Sequence, residues 1–455
     1  MDLIALQKSL REPLLLGIED LLAYSYDGTA GIEPQKPLFV AFPTSAEELS
    51  LLLEWAQTYR VAVIPRGSGT GLSGGTVPIA NSFVLCSSKM NRILEFDPEN
   101  LTILVEPGVT TVEIAQKAES VGLFYPPDPG SMKISTIGGN VANNSGGLRG
   151  LKYGVTKDYV MGFEIVLAGG NRVWFGNKCV KDVAGYSIKD FFVGSEGTLG
   201  VFSKILLRLV PKPKSKKTLL AVYSSMEQAA KTVSQIVAYP ILPCTLEFLD
   251  RTTIQCVEAY AKVGLPQNAE AVLLMETDGH PAVVAEEAQI MEEIARKSGA
   301  VSVTIAKDEQ EALRLASARR SAFASLARVA PTTILEDITV PRSRLAEMVA
   351  VIQKVAVDYQ VRIGTFGHMG DGNLHPTFLT NEKNHEEMKR VEKAMEVIFE
   401  QAIALGGTIT GEHGVGTAKK AFLEKGVGTG AYGMMKSLKN LWDPQNILNP
   451  GKIFS

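Results

Sequence analysis

Pro65-Arg66-Gly67-Ser68-Gly69-Thr70-Gly71-Leu72-Ser73-Gly74-Gly75 follows the short apolar run Val61 to Pro65 and decides how the first half of the chain is read. Gly69, Gly71 and Gly74 satisfy G-x-G-x-x-G, but a dinucleotide-binding βαβ unit requires a helix to open there. Thr76-Val77-Pro78-Ile79 follow instead, and then the strand-like Phe83-Val84-Leu85, so the loop is expected to join strand to strand. Five glycines within eleven residues can expose successive backbone N–H groups on one concave face, and Arg66 adds fixed positive charge. A diphosphate suits that arrangement. The competing reading is a glycine-rich turn that binds nothing.

Working outward, Ser45-Ala46-Glu47-Glu48 caps a helix carrying Leu49, Leu52, Leu53 and Ala56, and Thr110-Thr111-Val112-Glu113 caps a second that runs to Val121. Strands are expected at Val61 to Pro65, Thr102 to Glu106 and Gly200 to Val210, with a hairpin over Phe163 to Phe175 turning at Gly169-Gly170-Asn171. Gly130 to Gly154 is rich in Gly and Asn and reads as a long polar loop, a kind of segment that usually binds something. Pro211-Lys212-Pro213-Lys214-Ser215-Lys216-Lys217 reads as a solvated basic linker and marks a domain boundary. Beyond it, strands such as Thr218 to Tyr223, Ala271 to Glu276 and Val301 to Ile305 alternate with amphipathic helices, which predicts an α+β domain. The expected division is 1–212, then 213–420, then a segment 421–455 packing back near the first domain.

Composition narrows the functional classes. The net charge of −3, from 46 basic and 49 acidic residues, leaves no field for a phosphate backbone, so nucleic acid is not expected as a partner. Cys86, Cys179, Cys244 and Cys256 form no CxxC pair, which points to free thiols in a reducing compartment and places any iron–sulfur cluster in a partner. Gly67 to Ser88, the longest uncharged stretch, is too polar for a membrane span, and residues 1–19 lack the apolar core of a signal peptide. A cytoplasmic protein without a transmembrane segment, at most peripheral at a membrane through a partner, is expected.

Three motifs in order, Pro65 to Gly75, Gly130-Ser131-Met132-Lys133-Ile134-Ser135-Thr136-Ile137-Gly138-Gly139-Asn140, and Gly194-Ser195-Glu196-Gly197-Thr198-Leu199-Gly200, resemble the FAD-binding domain of the vanillyl-alcohol oxidase and p-cresol methylhydroxylase superfamily. Asp182-Val183-Ala184-Gly185-Tyr186 continues the match. In the other half, Gly367 to His375, Gly411-Glu412-His413-Gly414 and Leu448-Asn449-Pro450-Gly451-Lys452 look like the FAD-linked D-2-hydroxyacid dehydrogenases, the branch that includes D-lactate dehydrogenase and the flavoprotein of glycolate oxidase. The resemblance implies an α+β, two-domain flavoprotein with an α+β substrate or cap domain. Arg66, Gly67, Ser68, Gly69, Thr70, Gly71, Leu72, Ser73 and Gly74 would wrap the FAD diphosphate. Thr136, Gly138, Gly139, Asn140 and Ala142 would line the ribityl and flavin region, and Gly185, Glu196, Gly197 and Gly200 would support the adenine side or close backbone approach. Some relatives attach flavin through a histidine in this domain, but the first histidine here is His280, so the FAD is expected to be non-covalent.

All five histidines lie at or after position 280. His368 and His375 flank a loop with Gly370 and Gly372, and Glu412 adds a carboxylate, a donor set suited to Zn²⁺, with Mn²⁺ or Fe²⁺ as alternatives. His280 and His385 stand alone and read as solvated or capping residues. Glu412 and His413 are neighbours, and extended backbone would send their side chains opposite ways. Glu412 would then face the metal, and His413 would face the flavin as the base that takes the substrate hydroxyl proton. Asp371 reads as a loop-shaping residue. By resemblance Arg319 is the substrate carboxylate anchor, against the alternative of a surface arginine paired with Glu311; Arg320 reads as surface. Hydroxyglutarate dehydrogenases of that branch hold a second carboxylate with a threonine and a lysine, where Phe323 and Leu335 stand here, and have an asparagine at the position of Thr377. The expected activity is oxidation of a small D-2-hydroxy acid, D-lactate or glycolate ahead of hydroxyglutarate, with hydride passing to flavin N5. Electrons would go on to a quinone, a cytochrome, an electron-transfer flavoprotein or an iron–sulfur partner subunit. Two other classes compete: a non-catalytic FAD-binding subunit, which would not need the histidine set, and a metal hydrolase, which leaves the glycine loop unexplained.

Overall fold

The computed structural model describes residues 2–455 and divides into two compact units. The first comprises residues 1–146, 155–212 and 412–455, and the second 147–154 and 213–411. The break after Lys212 falls where the linker is expected, but the return to the first unit comes at Glu412 rather than at 421, and a short stretch before residue 155 also belongs to the second unit. The basic run is less of a linker than its composition suggests. The strand Ser215–Tyr223 begins inside it, and Lys216 pairs with Glu276 at 2.8 Å on the neighbouring strand. Cross-strand hydrogen bonding and an opposite charge thus order residues that composition alone would leave to solvent.

In the first unit, Ala62–Arg66, Ser82–Cys86 and Val40–Ala41 form a small parallel sheet, so the glycine loop does connect strand to strand. The helix Ala46–Tyr59 starts at Ser45, whose hydroxyl accepts from Glu48 N, and buries Leu49, Leu52, Leu53 and Ala56. The helix Thr111–Glu119 has the full capping box of Thr110 and Glu113. A five-stranded antiparallel sheet holds the hairpin Val160–Val166 with Arg172–Gly176, beside Val201–Arg208. The C-terminal segment is tied in by Leu448, which bridges Val63, and by the buried Lys439, which donates to the carbonyls of Thr198 (2.9 Å) and Leu448 (2.7 Å) and pairs with Asp443.

The stretch 130–154 is not the irregular loop its Gly and Asn content predicts. Ile137–Asn143 is a helix with Thr136 at its N-cap position, closed by Asn144 at φ +52°. Ile137 and Val141 are buried, so packing outweighs the poor helix propensity of Gly138, Gly139 and Asn140.

The second unit is an antiparallel eight-stranded sheet. Its central strands are Thr245–Asp250, Ile363–His368 and Asn373–Thr380, side by side in that order. Asp250 ties two elements together: it caps the helix Arg251–Ala261 through Thr253 N (2.8 Å) and accepts from Thr365 N (2.8 Å). The helix Glu309–Arg320 packs Leu315, Ala316 and Ala318 into the core shared by Leu249, Ile254 and Phe366. Among the described residues no helix is long and apolar enough to cross a membrane.

Candidate active site

Arg66, Gly67, Gly71, Ser73, Gly138, Gly139, Ala142, Glu196, Gly197 and Gly200 line one cleft of about 670 Å³ in the first unit. Pro65, from the same motif, lines it too, as do Ser87, Pro107, Asn143 and Phe202, none of which was singled out from sequence. The glycines are needed for close packing. A Cβ on Gly67 would lie 2.1 Å from Thr136 Oγ1, and one on Gly197, at φ +71°, would lie 2.9 Å from Pro65 Cγ. A glycine-rich wall that leaves no room for a side chain at Gly67 and Gly197 suits the close approach of a dinucleotide phosphate.

Arg66 is committed in part to the protein. Its Nη1 donates to the Tyr26 carbonyl (2.6 Å) and to Thr76 Oγ1 (3.3 Å), and the guanidinium lies 5.4 Å from the Tyr24 ring centre. Asn140 is buried and donates to Thr111 Oγ1 at 2.5 Å, which makes it a brace between two helices. Gly185 is not brought to the cleft. It lies in an exposed loop with Val180, Val183 and Tyr186, and nothing stands within 4 Å of a Cβ built on it.

The cleft residues also hold the backbone around His413. Ser73 Oγ donates to the His413 carbonyl at 3.1 Å, and Asn143 Nδ2 donates to the same oxygen at 3.4 Å. Glu196 accepts from the amides of Val415 and Gly416, both at 2.7 Å. Burial pushes the Glu196 carboxyl up to about 7, partly offset by those amides and by Lys419 and Lys452. Glu412 and His413 do not alternate as extended residues would. Residues 411–413 form a bend, and Glu412 Oε1 lies 3.7 Å from His413 Nε2. The φ +87° of Gly414 and +51° of Gly416, with the two amides held by Glu196, keep the chain from extending here.

In the second unit, Glu247 and His368 face each other across two strands. Glu247 is fully buried; its Oε1 lies 2.6 Å from His368 Nδ1 and its Oε2 accepts from Arg319 Nε at 2.5 Å. Burial raises this carboxyl, but the opposed charges of His368 and Arg319 and their hydrogen bonds outweigh burial and hold it below the ordinary range. Arg319 is 8% exposed and stacks over Phe366 at 4.6 Å, whereas Arg320 is exposed. Glu311, the suggested alternative partner, pairs with Arg314 instead. His375 stands edge-on to His368 with ring centres 5.2 Å apart, and its Nδ1 is 3.8 Å from Asp337. Asp337 in turn accepts from Asn373 Nδ2 (2.6 Å), Thr410 Oγ1 (2.7 Å) and Gly411 N (2.9 Å), which fixes the residue immediately before Glu412. Asp371 Oδ1 accepts from Asn373 N at 3.3 Å, a loop-shaping contact.

Two buried imidazoles, His368 hydrogen-bonded to Glu247 and His375 with Asp337 3.8 Å from its Nδ1, are donor chemistry suited to a divalent transition-metal site. Sequence reasoning missed Glu247 and Asp337. The signal was there in part: Glu247 is a lone carboxylate within Thr245-Leu246-Glu247-Phe248-Leu249, and a charged side chain in an apolar strand is rarely buried unless paired. His280 and His385 are exposed at the starts of helices. Thr377 is buried and donates to the His375 carbonyl at 3.2 Å, Leu335 packs on the apolar core, and Phe323 is 37% exposed.

Residues 212–453 match the family of FAD linked oxidases, C-terminal domain, and residues 37–176 match the FAD binding domain. The chain is similar to glycolate oxidase subunit GlcD of Bacillus subtilis (strain 168), 55% identical over 434 residues that cover 95% of this chain and 92% of that protein. It is similar to a D-lactate dehydrogenase of Anaerostipes hadrus, 35% identical over 97% of this chain and 94% of that one. Among solved structures it resembles p-cresol methylhydroxylase with substrate bound, at a TM-score of 0.81 and 17% identity over 97% of this chain and 93% of the other, a likeness of fold.

Proposed function

The chain belongs to the family of FAD-linked oxidases and is an FAD-dependent oxidoreductase of hydroxy acids, and from that premise we propose that its substrate is a small D-2-hydroxy acid, D-lactate or glycolate, oxidised to the 2-oxo acid. The observation that carries this reading is Arg319. A buried guanidinium, held by Glu247 at one edge and by Phe366 beneath, is a fixed cation suited to one carboxylate. Leu335 and Phe323, where larger-substrate relatives are read as having polar residues, favour a substrate with one acid group. The names of the two relatives, a glycolate oxidase subunit and a D-lactate dehydrogenase, agree with that class.

FAD, held non-covalently by the glycine cradle from Arg66 to Gly75 with Gly138, Gly139 and Gly197, supplies the hydride acceptor at its N5, and a divalent ion, Zn²⁺ by donor type, supplies Lewis acidity toward the hydroxyl. His368, His375 and Glu412 are the proposed ligands. Arg319 binds the carboxylate and fixes which face of Cα is presented. His413 takes the hydroxyl proton as the Cα hydrogen leaves with its electron pair, so the alcohol loses two electrons and two protons in balance. The bend brings Glu412 and His413 close, so their separate roles rest on donor chemistry rather than on alternation along the chain. The four cysteines are free thiols. With a relative named as a subunit, that supports onward transfer of electrons to a partner, an iron–sulfur subunit or a quinone- or cytochrome-linked acceptor, with the chain in the cytoplasm or peripheral at a membrane through that partner.

Anaerobic mixing of purified holoprotein with a panel of D- and L-2-hydroxy acids tests the reading. D-lactate or glycolate should bleach the flavin band, D-2-hydroxyglutarate only weakly and L-lactate not at all. A flavin that stays oxidised with every acid overturns it.

A further inference from the structure

We propose that Glu247 is a positioning residue with two arms, one setting the tautomer of His368 for metal binding and the other setting the approach of the substrate carboxylate to Arg319, so that a single carboxylate couples the two halves of the substrate grip. The inference rests on the functional reading above and deepens it.

Each arm follows from hydrogen-bond inventory. An ionised carboxylate only accepts, so the 2.6 Å contact keeps a proton on His368 Nδ1 and leaves Nε2 as the nitrogen through which the ring can offer a lone pair to a metal. A metal ligand needs that lone pair, and the carboxylate behind the ring raises its basicity. On the other side, Glu247 Oε2 takes the Nε–H of Arg319 at 2.5 Å. The guanidinium fork has two edges that can clasp a carboxylate, and this contact occupies the edge containing Nε. What remains is the end formed by the two Nη groups, so a substrate acid group is received end-on. Phe366, one of whose faces lies 4.6 Å from Arg319 Cζ, restricts rotation of the plane.

Stability alone does not account for the arrangement. A buried triad of charges is often no more stable than apolar residues of the same volume, because desolvation offsets the Coulombic gain. Glu247 sits in a strand whose neighbours Leu246, Phe248 and Leu249 are all buried and apolar, and it is 0% exposed. A carboxylate there brings the imidazole and the guanidinium into register, something an apolar side chain cannot do. Both partners lie within the same compact unit, on the adjacent strand Ile363–His368 and on the helix Glu309–Arg320.

The test uses the FAD-loaded protein, stripped of metal by a chelator, with two variants. Glu247→Gln keeps the shape but offers one acceptor oxygen in place of two, and Glu247→Asp keeps the charge but withdraws it by one methylene. Zn²⁺ affinity is measured by competition with a chromophoric chelator, and oxalate, a redox-inert acid, is titrated against the metal-free protein through the flavin spectrum. For Glu247→Gln, Zn²⁺ affinity should fall about 10- to 100-fold, the usual effect of losing an outer-shell partner. Oxalate binding should weaken in the same variant, and FAD content should stay at the wild-type level. Arg319→Met should abolish the effect of Glu247→Gln on oxalate while leaving its effect on Zn²⁺. If Glu247→Gln does not fold, Glu247→Asp carries the measurement, with smaller losses of both affinities. Loss of only one affinity, or of neither, overturns the two-armed role. Failure of the functional reading is separately visible: the wild-type flavin would then resist reduction by every hydroxy acid, whatever the Zn²⁺ titrations give.

Discussion

Replacing Arg319 by lysine keeps the charge and removes the fork, and the structure sets the size of the effect. Arg319 serves Glu247 with Nε and is proposed to serve the substrate with its Nη groups. One ammonium at the end of a flexible stem cannot do both. Leaving Glu247 Oε2 without its arginine, with only His368 at Oε1, would cost up to about 3–5 kcal/mol. A hydrogen bond to a charged substrate group returns only about 1.5–3 kcal/mol. The lysine should therefore stay with Glu247, and the substrate should lose its anchor. At about 1.4 kcal/mol per decade, KM for D-lactate or glycolate rises roughly 10- to 150-fold. The contact with Phe366 is also given up, and melting temperature should fall by a few degrees, because such contacts are worth about 0.5–2 kcal/mol. Steady-state kinetics with an artificial electron acceptor, alongside flavin content, measures this. Arg320→Lys is the control: that residue is exposed and its kinetics should match wild type. A KM for Arg319→Lys within twofold of wild type would remove Arg319 from the substrate site, and so would a fall confined to kcat.

Acid precipitation should release the yellow colour into the supernatant, because the first unit has a glycine cradle and its proposed contacts include no histidine for covalent attachment; colour retained on the precipitated chain refutes non-covalent FAD. Glu412→Gln should lose the divalent ion, while His413→Asn should keep metal and FAD and slow single-turnover flavin reduction by roughly two to four powers of ten; metal loss in His413→Asn alone would exchange the two roles. The Glu196 carboxyl is pushed up to about 7 from 4.5, so the folded chain holds a proton that the unfolded chain releases between those values. Stability should accordingly decline as pH rises from 4.5 to 7, by about 3 kcal/mol, and Glu196→Gln should flatten that slope in denaturation curves at pH 5 and pH 8. An unchanged slope in Glu196→Gln assigns it to other groups.

What the sequence displayed and what it hid divide along physical lines. The capped helices at Ser45 and Thr110 were legible because a cap and an apolar stripe are local signals, carried within one or two turns. The glycine loop was legible because its density leaves few alternatives. The helix Ile137–Asn143 was not: its residues favour loops, and only burial of Ile137 and Val141 against distant elements makes it form. The bend at 411–413 escaped for a similar reason. Extended alternation is the default for two adjacent residues, and the amides that override it are held by Glu196, more than two hundred positions earlier in the chain. His368, His375 and Arg319 were picked out as residues, but the carboxylate that ties two of them together was invisible, since Glu247 becomes a partner of both only through strand pairing and helix docking.

The contacts around His413 bear on how the proposed base is kept in place. A catalytic imidazole on a glycine-rich segment would ordinarily wander, because Gly411, Gly414 and Gly416 restrict the backbone so little. Here the segment is held at three points by residues that line the flavin cleft: Ser73 and Asn143 at the His413 carbonyl, and Glu196 at the two amides that follow Gly414. The glycines are then a requirement of fit rather than a source of freedom. A Cβ on Gly416 would lie 2.1 Å from the Ser73 carbonyl oxygen, and one on Gly414 would lie 2.9 Å from Glu196 Oε1. Gly416→Ala should therefore push the histidine segment away from the cofactor loop and slow flavin reduction. The shift must be absorbed by backbone, which cannot rotate aside as a side chain can, and by a φ of +51° that alanine tolerates poorly. FAD content is measured alongside, because Ser73 itself belongs to the cradle from Arg66 to Gly75. The comparison that decides is single-turnover reduction at equal FAD content: reduction at the wild-type rate in Gly416→Ala would mean that the His413 segment adjusts independently of the cofactor loop, and the coupling between cradle and base would have to be abandoned.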